Sequence, residues 1–229
     1  MTPTSTAPTS SLSYAIERQA LVDASASLFR AGVMSHSGHA NLSVRVAAET
    51  ILLTTGGNVR ALAPEHLAVV GLDGSVVEGS LEAANAEIVA MHTEVYRARP
   101  ELGAIIHTHS PHLLAFALAN RPLPDRYEAL LRFGQAEEVP VAPWAPRGSE
   151  RSVGAIVDLV KDRPDTMAVL LGNHGVLAFG ANAGGAAALV VALEEAAEAE
   201  VRAAPLGGAV DFPVGALEEA RASMARVRR

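Results

Sequence analysis

The segment Ala104-Ile105-Ile106-His107-Thr108-His109 ends an apolar run with two imidazoles at i and i+2. In an extended strand successive side chains point to opposite faces, so His107 and His109 share one face and Ile106 and Thr108 the other. Two rings on one face can converge on a single cation, and neutral imidazole is the usual ligand for zinc and similar divalent metals. A third histidine, His174, stands between Gly172-Asn173 and Gly175, where an apolar run stops at a tight turn and leaves the ring at the strand end. Three protein ligands plus an open position make a catalytic rather than a structural zinc site. One such histidine alone reads as a hydrogen-bonded core or surface residue; the two motifs together point to a metal.

A carboxylate beside a metal-bound substrate could ligate the metal at rest and act as general base once displaced. Glu87, in a helical segment upstream of the paired histidines, is the candidate, with Glu82 and Glu94 as nearby competitors. Asn41, Thr55, Gly56 and Gly57 fall where strands give way to loops, and their side-chain donors and backbone N–H groups could hold an anion. The spacing of His92 and His112 brings them near the site, as ligand neighbours or as packing residues. His36, His39 and His66 carry no usable pattern. The single lysine, Lys161, lies at a polar helix end and reads as a surface residue, which argues against Schiff-base chemistry.

These side chains need a scaffold. Apolar spacing predicts a helix from Tyr14 to about Ala31, then strands over 41–46 and 50–55. Leu67–Leu72 and Ser75–Gly79 read as a hairpin about Asp73-Gly74, a pair suited to a type I′ turn. Residues 84–98 read as one helix, 103–109 as a strand, and Pro111 opens another helix. Glu138–Trp144 reads as a short strand or extended segment. An amphipathic helix follows, with Ser149 as candidate cap. Strands flank the Gly172–Gly175 turn, an Ala/Glu-rich helix covers 182–204, and a short helix closes the chain. Residues 1–13, rich in Pro, Ser and Thr, read as a flexible tail, and 14–229 as a single α/β domain with a mixed sheet.

The 229 residues are 49% hydrophobic and 19% charged, which suits a sizeable core and excludes wholesale disorder. A net charge of −7 lacks the basic footprint of a nucleic-acid binder. Cysteine is absent, removing disulfides, thiolate metal sites and cysteine nucleophiles. No apolar run approaches a bilayer span and no basic-then-apolar leader opens the chain, so a cytoplasmic protein with no membrane partner is expected.

The series HANLSVRV, LLTTGG, EGSLEAANAEIVAMHTEVYRARPELGAIIHTHSPH and LLGNHGVLAFG resembles the class II aldolase/adducin family over roughly residues 15–200. The resemblance implies a three-layer α/β/α sandwich around a central mixed, largely antiparallel sheet. It implies a homotetramer with active sites at subunit interfaces. His107, His109 and His174 then look like the metal ligands, most simply for Zn2+, with Mn2+, Fe2+ or Co2+ as alternatives. Glu87 resembles the catalytic acid/base, and Tyr127 falls near an aldolase tyrosine contributed by a neighbouring subunit. Asn41, Thr55 and Gly56 match phosphate-gripping positions, and Asn85, just ahead of Glu87, joins them as a substrate-binding candidate. Two departures stand out. The family's serine pair before the carboxylate is replaced by Asn85-Ala86, and His92 follows Glu87 by five residues rather than four. An insertion at the helix start keeps Glu87 in its role; otherwise Ile88 takes the aligned slot, about 100° away on a helix.

The implied activity is a class II aldolase cleaving a small hydroxy-ketone or sugar phosphate through a metal-stabilised enediolate. An epimerase, decarboxylase or dehydratase on the same scaffold is the runner-up. A non-catalytic interaction module like the adducin head, or a metal hydrolase on another fold, are the rivals of other classes.

Overall fold

The computed structural model describes residues 12–135 and 137–227. Most of the expected tail thus lies outside the described residues, but Ser13 is anchored: its hydroxyl donates to Glu78 and its carbonyl accepts from Arg18 Nε at 2.7 Å. The elements run α1 (Ala15–Arg30), β1 (Ala40–Ala47), β2 (Thr50–Thr54), β3 (Leu67–Gly71), β4 (Val76–Glu78), α2 (Ala83–Ala86) and α3 (Val89–Ala98). They continue through β5 (Ala104–Thr108), α4 (Pro111–Ala119), β6 (Val141–Ala142), α5 (Glu150–Asp162), β7 (Ala168–Leu171), β8 (Gly175–Gly180), α6 (Ala183–Ala203) and α7 (Ala216–Val227). No described helix is long and apolar enough to cross a membrane.

The strands form one eight-stranded sheet in the order β4-β3-β2-β1-β5-β8-β7-β6. Every pair is antiparallel except β6 with β7. Period-two alternation along β5 divides the core. Ala104 and Ile106 face the cluster containing Leu21 and Leu28 of α1 and Leu189 and Leu193 of α6. Ile105 faces the opposite cluster, with Val95 and Tyr96 of α3 and Ile156 and Val160 of α5. Each such fully buried leucine or isoleucine contributes about 1.5–3 kcal/mol. The result is the expected α/β/α sandwich, with α1, α4 and α6 on one face and α3 and α5 on the other.

Two local expectations change and one is narrowed. The helix expected across 84–98 is interrupted at Glu87–Ile88, so α2 is a single turn and α3 begins afresh at Val89. The Asp73-Gly74 turn is not type I′, which needs positive φ at both central residues. Only Gly74 adopts it, at +87°. Asp73 instead accepts from the Ser75 backbone N–H at 2.9 Å and from its hydroxyl at 2.6 Å. The Glu138–Trp144 segment contributes only two residues, Val141 and Ala142, to the sheet. Ser149 does cap α5, accepting from the Ser152 N–H at 3.2 Å.

Candidate active site

The antiparallel register of β5 with β8 sets Thr108 opposite Val176 and His107 opposite Leu177. The tight turn between β7 and β8, which carries His174, therefore lands beside the end of β5. His109 lies one residue beyond that strand, yet alternation holds well enough for the rings to meet. The three ring centroids are 4.7–5.0 Å apart. One nitrogen from each can be chosen so that all lie within 4.8 Å of one another. The turn is fixed by Asn173 at φ +58°, whose N–H donates to the Ala117 carbonyl at 2.9 Å. Gly175 is required for a different reason: a Cβ there would sit 2.6 Å from the Thr108 carbonyl oxygen and 2.7 Å from His109 Cδ2.

The protonation states suit ligation. His107 Nδ1–H donates to the Val176 carbonyl at 3.0 Å, which leaves Nε2 as a lone pair. His109 Nε2 is buried with no hydrogen-bond partner among the described residues. Burial, then the charges of His174 and His109, holds His107 well below the ordinary histidine range. Burial first, then His174, His39 and Arg147, brings His109 down to about 4. Burial and Arg147 lower His174 too. Three neutral, convergent imidazoles, one with an orphaned buried nitrogen, fit a divalent cation.

Behind them runs a buried chain of hydrogen bonds. The Tyr96 hydroxyl meets Ser43 Oγ at 3.0 Å, Ser43 Oγ meets His92 Nδ1 at 2.7 Å, and His92 Nε2 meets Asn41 Oδ1 at 2.6 Å. Because an amide oxygen only accepts, His92 carries its proton on Nε2, and the NH2 of Asn41 is left as the donor available to the cavity it borders. Burial drives His92 down to about 3, so it stays neutral. His92 is thus a positioning residue. His112 serves elsewhere: its ring and N–H, with the Leu113 N–H, meet Glu194, which occupies the start of α4.

Two cavities adjoin the triad. One, about 200 Å³, is walled by Met91, Trp144 and Ile156 and bordered by Glu87. The other, about 280 Å³, is bordered by Asn41, Gly57, Glu82 and Asn85. His107, His174 and Arg147 border both. Glu87 sits on the break between α2 and α3, its carboxylate 3.8 Å from Arg147 Nε. It is not among the groups near enough to one another to share a cation, which among the described residues are the three histidines alone. Ligation by Glu87 at rest is therefore not seen. Glu94 turns away to Arg97.

Of the other expected residues, Asn85 donates Nδ2 to the Thr54 carbonyl at 3.0 Å and keeps Oδ1 buried and unpartnered. Thr55 is not brought to either cavity, since its hydroxyl donates to the His66 carbonyl at 3.2 Å. Gly56 packs against Glu82, whose Oε1 lies 2.6 Å from where a Cβ would stand. Tyr127 borders neither cavity of its own chain; its hydroxyl reaches Glu195 of α6 at 3.5 Å. His39, Trp144 and Arg147 were not marked by the sequence. The last two lie between β6 and α5, where no periodicity or spacing signals a site.

The family described as "Class II Aldolase and Adducin N-terminal domain" matches residues 19–201. The chain belongs to it. Among class II aldolase relatives, it is 27% identical over 142 residues to the L-fuculose phosphate aldolase of Haemophilus influenzae, covering 62% of each chain. It is 33% identical over 187 residues to the 3-oxo-tetronate 4-phosphate decarboxylase of Pectobacterium atrosepticum, covering 79% of this chain and 82% of that one. Among solved structures it superposes on an L-fuculose 1-phosphate aldolase with a TM-score of 0.80 at 25% identity, covering 92% of this chain and 97% of that one. The matches to the first of the curated relatives span only 52–62% of those proteins' lengths. Class II aldolase-family relatives of the chain include aldolases, decarboxylases and dehydratases.

Proposed function

We propose that this class II aldolase-family protein is a divalent-metal-dependent carbon–carbon lyase, acting by aldol-type cleavage on a small hydroxy-ketone or sugar-phosphate-like substrate. The observation that carries this is the convergence of three neutral imidazoles, with His109 Nε2 buried and unpartnered. An all-nitrogen donor set suits Zn2+ best. A cation held there supplies Lewis acidity to a carbonyl oxygen, lowering the energy of negative charge developing on it. The chain's own residues do the rest. Glu87, which borders the same cavity as His107 and His174, takes and returns the proton at the reacting carbon. The Asn41 amide, held by His92, donates to a substrate oxygen, and Asn85 Oδ1 accepts from a hydroxyl. In a homotetramer, Tyr127 of a neighbouring subunit protonates the departing alkoxide.

Decarboxylation is the second reading. It is favoured by Arg147 beside the triad and by the absence of the serine pair that would grip a phosphate. A relative at 33% identity is named as a decarboxylase, of a phosphorylated substrate, and agrees with the reaction type alone. The test is to incubate metal-loaded protein with four- to six-carbon ketoses, their phosphates and hydroxy-keto acids, and to identify products by mass. Fragments or carbon dioxide from an opened carbon–carbon bond are expected. Turnover confined to esters or amides would contradict the proposal and leave a metal hydrolase.

A further inference from the structure

The two cavities beside the triad share Arg147 and differ in the apolar character of their walls, in a way that selects a substrate. We propose that the substrate is an unphosphorylated carboxylate with an apolar body, its carboxylate paired with Arg147 and its body lying between Met91, Trp144 and Ile156. This rests on the triad being a metal centre and favours the second, decarboxylase reading of what that centre acts on.

The glycine turn at Gly56-Gly57 is where backbone N–H groups could cradle a phosphate, but Glu82 lies against it, with Oε1 2.6 Å from the position of a Gly56 Cβ. The neighbouring Asn85 spends its NH2 on the Thr54 carbonyl and offers only a bare acceptor, Oδ1. A carboxylate and an unpartnered carbonyl oxygen repel a phosphate dianion and welcome hydroxyl donors.

Positive charge comes from a single side chain that both cavities share. Arg147 is the only Lys or Arg among the described residues bordering either cavity. Its Nη2 donates to the Ala84 carbonyl at 2.7 Å and its Nε is 3.8 Å from Glu87, which fixes the guanidinium plane. No described residue takes its Nη1. A planar guanidinium is well matched to a carboxylate.

The adjoining walls are apolar: Ile88, Met91, Ile156 and Leu171, with Trp144 58% exposed at the cavity. Sugar hydroxyls placed there would lose water without gaining partners. An aliphatic or aromatic body would not.

Calorimetric titration of the metal-loaded protein tests this, with metal content measured on the same samples. The probes are 2,3-dihydroxybenzoate, catechol, dihydroxyacetone phosphate and inorganic phosphate. Dihydroxybenzoate is expected to bind about tenfold or more tightly than catechol or dihydroxyacetone phosphate, the value of one charge-assisted pair. Arg147→Ala should erase the advantage over catechol, Arg147→Lys should keep part of it, and Trp144→Ala should weaken dihydroxybenzoate several-fold. Glu82→Gln should strengthen dihydroxyacetone phosphate and leave dihydroxybenzoate unchanged. With the metal present, tighter binding of dihydroxyacetone phosphate than of dihydroxybenzoate, or an unchanged Kd in Arg147→Ala, overturns the proposal. A wild-type protein that takes up no metal instead overturns the metal-centre reading beneath it.

Discussion

His92 is wholly buried, and its neutral ring connects the Tyr96–Ser43 pair to the Asn41 amide. Its pKa falls from 6.5 to about 3 on folding, through burial. The unfolded chain therefore binds a proton that the folded chain refuses between those values. The stabilising contribution is complete above about pH 6.5 and is lost as pH falls toward 3, at about 1.4 kcal/mol per pH unit. Urea denaturation of metal-free protein at pH 6 and pH 4 should show that slope reduced by about this amount in His92→Asn; equal slopes would refute the assignment. Glu87 bears on the reaction directly. Glu87→Gln should keep the metal and slow solvent-proton exchange at the substrate carbon by about 100-fold or more. A near-silent substitution would remove Glu87 from the mechanism. At this scale the convergence of His107, His109 and His174 was legible because period-two spacing and a glycine-flanked histidine are local signals. Arg147 and Glu82 were not distinguishable in the same way, because their roles depend on which loop folds over which strand end.

The decisive elements are the β7–β8 turn and the break between α2 and α3. Gly175 lets the turn approach the end of β5 so closely that a methyl group would strike the Thr108 carbonyl at 2.6 Å and the His109 ring at 2.7 Å. Gly175→Ala should push His174 away from the other two rings. Stability should fall by about 1–3 kcal/mol, as for an overpacked core, and metal affinity by about tenfold or more, as when a ligand loses its orientation. Parallel thermal melts and chelator competition would check both; unchanged metal affinity would show that the turn tolerates the methyl. Strand and helix positions were largely readable, since alternation and 3.6-residue periodicity are strong in β5, α5 and α6. The interruption at Glu87–Ile88 was not. Alanine-rich sequence favours continuous helix there, and only tertiary packing, with Ile88 buried and Gly148 so close that a Cβ on it would stand 3.0 Å from Glu87 Cβ, sets the break.

At the scale of the molecule, the sheet order brings β5 and β8 together across 69 residues of sequence separation, from His107 to Val176. The family resemblance implied a largely antiparallel sheet but periodicity left the order open, because local patterning does not choose strand neighbours. Tyr127 lies against Glu195 of its own chain and borders neither cavity. If it serves a neighbouring subunit's site, two inactive variants, Tyr127→Phe and His174→Ala, should regain turnover when dissociated together and reassembled. Mixtures that stay inactive would confine Tyr127 to its own subunit. The most direct measurement is elemental analysis of divalent metal per chain, after dialysis, in the wild-type protein and in His107→Ala, His109→Ala and His174→Ala. Close to one ion per chain in the wild type and near none in each variant is the predicted result. Wild-type content near zero after metal loading, or variants that retain a full complement, would contradict the account.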